Sequence, residues 1–338
     1  MAPSAVIFGC QGPELTYWEK AFFADSDPLG FILFARNCGT PDQVRALVRE
    51  MRASVGRADA PVLIDQEGGR VARLKPPHWR NAPAPQLFDR MCDDQPDQAE
   101  RAAELNAMLV ASELVDLGID VDCWPVLDVP ISGAHDVIGD RAFGSEPQRI
   151  IKLASATVRG LSSLGVMPII KHIPGHGRAL VDSHLDLPAV ECDLSLLENT
   201  DFVPFHALRD VPWAMTGHMV FKSIDPDRPV TTSKTVIDQI IRGKIAYAGL
   251  LITDDLSMKA LSGDFTDRAR DALAAGCDIL LHCNGDAQEM MAVARASQAM
   301  GRATQDRFRK AKAWQKARKK DVDLASASAE LNSLLGQL

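Results

Sequence analysis

One local event recurs along this chain: a helical pattern ends at a glycine and an apolar run opens directly after it. Gly118-Ile119, Gly165-Val166, Gly249-Leu250 and Gly276-Cys277 all follow this pattern. Glycine suits the left-handed position that follows a helix because it has no Cβ to clash. The apolar runs lack strict polar alternation, as strands covered on both faces should. Strand candidates lie at 5–9, 30–34, 61–64, within 121–129 (a strand and its exit), 166–170, 213–216, 250–253 and 278–282. Helix starts fall between them. Thr16 with Glu19 has capping-box spacing, and Thr40-Pro41 with Gln43 and Ser145 with Pro147-Gln148 pair a cap with proline in the first turn. A long helix is predicted over about 97–117. About eight strand–helix units of this length predict a (β/α)8 barrel of the TIM type, with a doubly wound open sheet as the runner-up. We expect one catalytic barrel over residues 1–338, with a helical tail from about 302.

Composition narrows the function classes. The net charge is −8, whereas a nucleic-acid binder normally shows a basic surface. The one basic run, 302–320, has Phe308, Ala311 and Trp314 spaced by three and reads as the solvated face of a terminal helix. Seven scattered cysteines, odd in number and without a CxxC pair, fit a reducing compartment. The first ten residues carry no basic segment, and no apolar stretch reaches bilayer length. The expectation is a cytoplasmic monomer acting on a small molecule, with no nucleic-acid or membrane partner and no cofactor.

In a barrel of this kind, catalytic groups project from the C-terminal ends of the strands. Asp65 follows the third strand candidate, with Arg70 and Arg73 on the next loop. Asp128 follows the fourth, with Asp140 and Arg141 further on. Lys171 and His172 follow the fifth, His218 the sixth, and Asp254 and Asp255 the seventh. The segment 171–184, KHIPGHGRALVDSH, adds His176, Asp182 and His184 among Pro174, Gly175 and Gly177. So dense a set of ionisable groups on a glycine-containing loop is expected at a functional site.

Each candidate has a structural alternative. Asp254 or Asp255 can cap the next helix. Asp182 can form an Asx turn beside an incidental His184. Together, however, Asp182 and His184 make an oriented imidazole that donates a proton near neutrality. His172, His176, His184 and Asp182 can also be read as metal ligands. His-x3-His binds metal best on a helix, and Pro174, Gly175 and Gly177 break one here.

KHIPGHG followed by DSH, with ITDDLSM at 252–258, resembles family 3 glycoside hydrolases of the bacterial β-N-acetylhexosaminidase type that acts in cell-wall recycling. DQEGGRVARL at 65–74, FILFARN at 31–37, PVLDV at 125–129, IGDRAFG at 138–144 and AGCDILLHCN at 275–284 extend the resemblance over almost the whole chain. It implies Asp254 as nucleophile, His184 as general acid/base and Asp182 as its partner. It also implies that Asp65, Arg73, Arg141, Lys171 and His172 hold the sugar. Retaining double displacement would release terminal N-acetylglucosamine from muropeptide fragments without a metal. Trp124 stands where alanine is common, a change that could reshape a pocket wall. A family 3 enzyme of other sugar preference, a metal-dependent barrel hydrolase and a non-enzymatic sugar-binding barrel are the competing readings.

Overall fold

The apolar runs become strands because both of their faces find cover. In the computed structural model, which describes residues 2–133, 135–179 and 187–336, eight parallel strands close into a barrel. They are β1 (Ser4–Phe8), β2 (Pro28–Leu33), β3 (Val62–Ile64), β4 (Val121–Asp122), β5 (Met167–Ile173), β6 (Trp213–Thr216), β7 (Leu250–Asp255) and β8 (Ile279–His282). Each pairs with its neighbour in sequence, and β1 closes on β8 with Ile7 opposite Leu281. This is the (β/α)8 architecture. Successive side chains point to opposite faces of a strand. Ile7 therefore joins Ile32, Leu63, Ile169, Ile252 and Leu281 in one buried cluster, while Val6 and Phe8 join a second with the helices.

The predicted helix signals are realised at most positions. Thr16 and Glu19 form the capping box of helix Tyr17–Ser26, and Thr40 caps helix Pro41–Ser54. Helix Pro96–Leu117 ends on Gly118 at φ 81°, and helix Phe265–Ala275 on Gly276 at φ 117°. Gly249 differs: it ends no helix, and a Cβ there would lie 2.5 Å from the Pro212 carbonyl oxygen, so close strand packing requires it. Ser145 is likewise displaced as a cap, by Glu146. The peptides Pro76–Pro77, Trp124–Pro125, Lys171–His172 and Ile173–Pro174 are cis.

The helix Arg302–Arg318 lies under the N-terminal ends of the strands. Its Phe308, Ala311 and Trp314 join the cluster inside the barrel. The basic run is thus more than a solvated face. Arg307 meets Asp278 at 2.7 Å, Lys312 meets Asp120 at 3.4 Å, and Gln315 donates to the carbonyls of Asp120 and Gly165. Among the described residues, no helix is long and apolar enough to cross a membrane.

Candidate active site

The strand ends meet at a cavity of about 310 Å³. Asp65, Arg73, Arg141, Lys171, His172 and Asp254 all line it, with His176 and Asp255 beside them. Phe34, Val137, Ile138 and Met258 supply apolar wall. Asp182 and His184 lie outside the described residues.

Two expected loop positions prove to be strand positions. Strand β5 runs on to Ile173, so Lys171 and His172 sit within it, because Ile173 still pairs with Thr216 of β6. Strand β7 runs on to Asp255, which removes the helix-cap reading for both aspartates. The next helix starts at Phe265, and its cap is Asp264, which accepts from the Asp267 N–H at 2.9 Å. Asp255 instead accepts from the N–H groups of Ser257 and Cys283 at 3.0 and 3.1 Å, tying β7 to the chain after β8. Asp254 Oδ1 accepts from the Asp255 N–H at 2.8 Å.

The floor is a network of ion pairs. Lys171 Nζ lies 2.8 Å from Asp65 Oδ1 and 2.6 Å from Glu67 Oε1. Arg73 Nη2 lies 3.0 Å from Asp65 Oδ2. Arg141 grips Glu67 through two bonds of 2.8 Å, from Nε and Nη2. Burial alone would raise Asp65 and Glu67. The neighbouring cations outweigh it, holding Asp65 well below the usual carboxylate range and lowering Glu67 as well. Burial likewise opposes charge on Lys171, and the two carboxylates more than compensate. Every member is therefore ionised at neutral pH.

A second pairing orients the imidazole. His172 Nδ1 lies 2.7 Å from Asp128 Oδ2, and Asp128 Oδ1 accepts from the N–H groups of His172 and His176. Burial would raise Asp128, but His172 and His176 hold it low. Burial pushes His176 down to about 4, so that ring is neutral near pH 7.

Several residues fall elsewhere than expected. Arg70 turns from the cavity to Asp136 and Asp140, at 2.9 and 2.8 Å. His218 is fully buried behind β7. Its Nε2 lies 3.0 Å from the Asp255 carbonyl oxygen and its Nδ1 2.7 Å from Thr231 Oγ1. Trp124 is not at the cavity; it is buried against Phe143 with ring centroids 6.3 Å apart. Glu67 was missed as a site residue, although it lies inside the quoted DQEGGRVARL motif. Among the described residues, no group of three His, Cys, Asp or Glu side chains is placed to hold a metal ion.

A closed barrel with one polar cavity at the C-terminal strand ends defines a barrel enzyme. The profile of the "Glycosyl hydrolase family 3 N terminal domain" matches residues 19–313. A β-hexosaminidase of Alkalilimnicola ehrlichii is 39% identical over 283 residues, covering 82% of this chain and 80% of its own. One of Methylococcus capsulatus is 38% identical over 282 residues, covering 82% of each chain. The crystal structure of NagZ from Neisseria gonorrhoeae in complex with N-trifluoroacetyl-D-glucosamine superposes with a TM-score of 0.87 at 30% identity, covering 99% of this chain and 98% of that one. The chain belongs to glycosyl hydrolase family 3, in its β-hexosaminidase branch, and is a glycoside hydrolase.

Proposed function

We propose that this enzyme is a retaining exo-β-N-acetylglucosaminidase with Asp254 as nucleophile and His184, paired with Asp182, as general acid/base. The observation that carries the reading is the placement of Asp254. It is the penultimate residue of β7, in the same cavity as Asp65, Arg73, Arg141, Lys171 and His172. A nucleophile beside fixed cations and donors has what an oxocarbenium-like transition state requires: a charge to stabilise it and groups to orient the ring hydroxyls. The Neisseria gonorrhoeae relative holds an N-acylglucosamine, which supports the same sugar class here.

In the first step an Asp254 carboxylate oxygen bonds to the anomeric carbon. The bond to the leaving oxygen breaks, and that oxygen takes a proton from His184. In the second step His184 accepts a proton from water, the water oxygen bonds to the anomeric carbon, and Asp254 leaves as carboxylate. Configuration is retained overall.

The resemblance extends the proposal to muropeptide fragments as substrates and to a cytoplasmic, monomeric enzyme in which the whole chain is one catalytic unit. The test is initial rates on aryl β-N-acetylglucosaminide and aryl β-glucoside, with and without chelator, for wild type, Asp254→Ala and His184→Ala. Selective, chelator-insensitive cleavage of the first substrate, lost by a factor of about 10³ or more in Asp254→Ala, supports the reading. Preference for the glucoside, or near wild-type turnover by Asp254→Ala, overturns it.

A further inference from the structure

We infer that Glu67, which does not line the cavity, is the positioning residue that sets both the geometry and the net charge of the sugar-binding cations. The inference rests on the hexosaminidase reading above for the substrate and for the sugar-binding role of Arg141 and Lys171.

Glu67 is fully buried, and its two oxygens serve two cations. Oε2 accepts from Arg141 Nε; Oε1 is shared by Arg141 Nη2 and Lys171 Nζ. The remaining Arg141 nitrogen, Nη1, donates to the Val137 carbonyl at 3.1 Å. All five donors of a guanidinium lie in one plane, so a two-point grip on one edge fixes where the rest of the group faces. Lys171 has three rotatable donors and a flexible stem, and Glu67 and Asp65 hold its ammonium from two sides.

The backbone is built to bring Glu67 there. Its N–H and that of Gly68 both donate to the Val71 carbonyl, closing a tight reversal. Gly68 sits at φ 93°, and a Cβ on it would lie 2.2 Å from the Pro83 carbonyl oxygen. The two glycines after Glu67 let the chain turn back and deliver Arg73 to the same cavity.

Charge gives the second half of the argument. Within this network Arg73, Arg141 and Lys171 exceed Asp65 and Glu67 by one positive charge, while Asp254 and Asp255 line the same cavity and Asp128 pairs with His172 on its wall. Without Glu67 the excess becomes two. Arg141 and Lys171 would then repel each other in a site where water screens poorly. Every titrating group nearby would feel the extra positive charge and release its proton at lower pH.

The test is the pH profile of kcat/KM for aryl β-N-acetylglucosaminide with wild type, Glu67→Gln and Glu67→Asp. In Glu67→Gln we expect KM to rise about 10- to 100-fold, as for loss of a charge-assisted hydrogen bond, and the acid limb, which the hexosaminidase reading gives to Asp254, to move down by about one pH unit. In Glu67→Asp the charge returns on a shorter arm. The acid limb should return to its wild-type position while KM stays raised. A merely structural role lowers activity without moving that limb. An unmoved acid limb in folded Glu67→Gln, or a displaced one in Glu67→Asp, overturns the proposal. If Glu67→Gln does not fold, the Glu67→Asp profile decides alone, because a wild-type KM there also overturns it. If wild type cleaves no aryl β-N-acetylhexosaminide, the hexosaminidase reading is what fails. Crystal structures of wild type and Glu67→Asp then judge Glu67 by whether Arg141 or Lys171 has moved.

Discussion

Asp128 and His172 face each other with Oδ2 and Nδ1 2.7 Å apart, the carboxylate fully buried and the ring on the cavity wall. An ionised Asp128 accepts from Nδ1–H, which leaves Nε2 for the cavity. Asparagine at 128 can offer its NH2 to Nδ1 instead and move the ring proton to Nε2. Asp128→Asn is expected to lower kcat/KM about 10- to 100-fold, the worth of one charge-assisted hydrogen bond. Steady-state kinetics and the 15N shifts of His172 check it. An unchanged tautomer with unchanged kcat/KM would sink the assignment.

Asp122 is the opposite kind of buried carboxylate. It ends β4, its Oδ1 accepts from the Gln66 N–H at 3.0 Å, and its Oδ2 has no hydrogen-bond partner among the described residues. Burial pushes it up to about 8, against the pull of the Gln66 N–H and Lys171. The folded protein therefore keeps a proton that the unfolded chain releases near pH 4. With more protons bound in the folded state, stability falls as pH rises from about 4 through about 8 and levels off above. Asp122→Asn removes that slope. Its stabilisation should grow by a few kcal/mol, up to about 4, between pH 5 and pH 8. Urea unfolding at the two pH values measures it; the same gain at both would show that Asp122 titrates normally.

The barrel was legible because its strands are covered on both faces, and that leaves a sequence signal in unbroken apolar runs closed by glycine. The charged strand ends were legible for the same reason: Asp65, Lys171 and Asp254 interrupt apolar runs. Glu67 and Asp128 were harder to assign, since each acts through a partner remote in sequence. Arg141 lies 74 residues from Glu67, and His172 lies 44 from Asp128. Arg70 and Arg73 share one loop, and no local pattern says that the first turns outward. The placement of Lys171 and His172 within β5 depends on pairing with β6, which is a tertiary fact. The underside contacts of the terminal helix were hidden in the same way, because a basic run reads as solvated until Asp278 and Asp120 come beneath it.

Asp278 joins that helix to the barrel. It is 5% exposed. Oδ2 accepts from Arg242 Nη2 and the Leu251 N–H at 2.9 and 3.0 Å, and Oδ1 accepts from Arg307 and Thr304 at 2.7 and 3.0 Å. Removing one partner of a buried pair leaves the others uncompensated, at about 3–5 kcal/mol. Asp278→Ala is expected to destabilise by that amount in urea unfolding while leaving kcat near wild type, since the cavity is at the other end of the strands. A loss below about 1 kcal/mol, the range of exposed pairs, would mean that the underside contacts are superficial.

Gly177 tests how tightly the histidine segment is seated. A Cβ there would lie 2.0 Å from the Val129 carbonyl oxygen and 2.2 Å from its carbon, and neither is a side chain that can swing away. The Ile131 N–H also donates to the Gly177 carbonyl at 3.3 Å, so the two segments run against each other. One residue earlier, His176 donates its N–H to Asp128, the same carboxylate that orients His172. Gly177→Ala must therefore push apart the segments that carry both ends of this pairing. Overpacking of this kind costs about 1–3 kcal/mol. The expected result is that loss of stability together with a fall in kcat/KM of about tenfold or more, because displacement of groups about a cavity costs rate as well as stability. Gly12→Ala is the control, since a Cβ at Gly12 meets nothing within 4 Å. Thermal unfolding and kinetics on both variants decide the matter: a Gly177→Ala enzyme as stable and active as Gly12→Ala would show that the segment yields and that the Asp128 bonds do not depend on its seating.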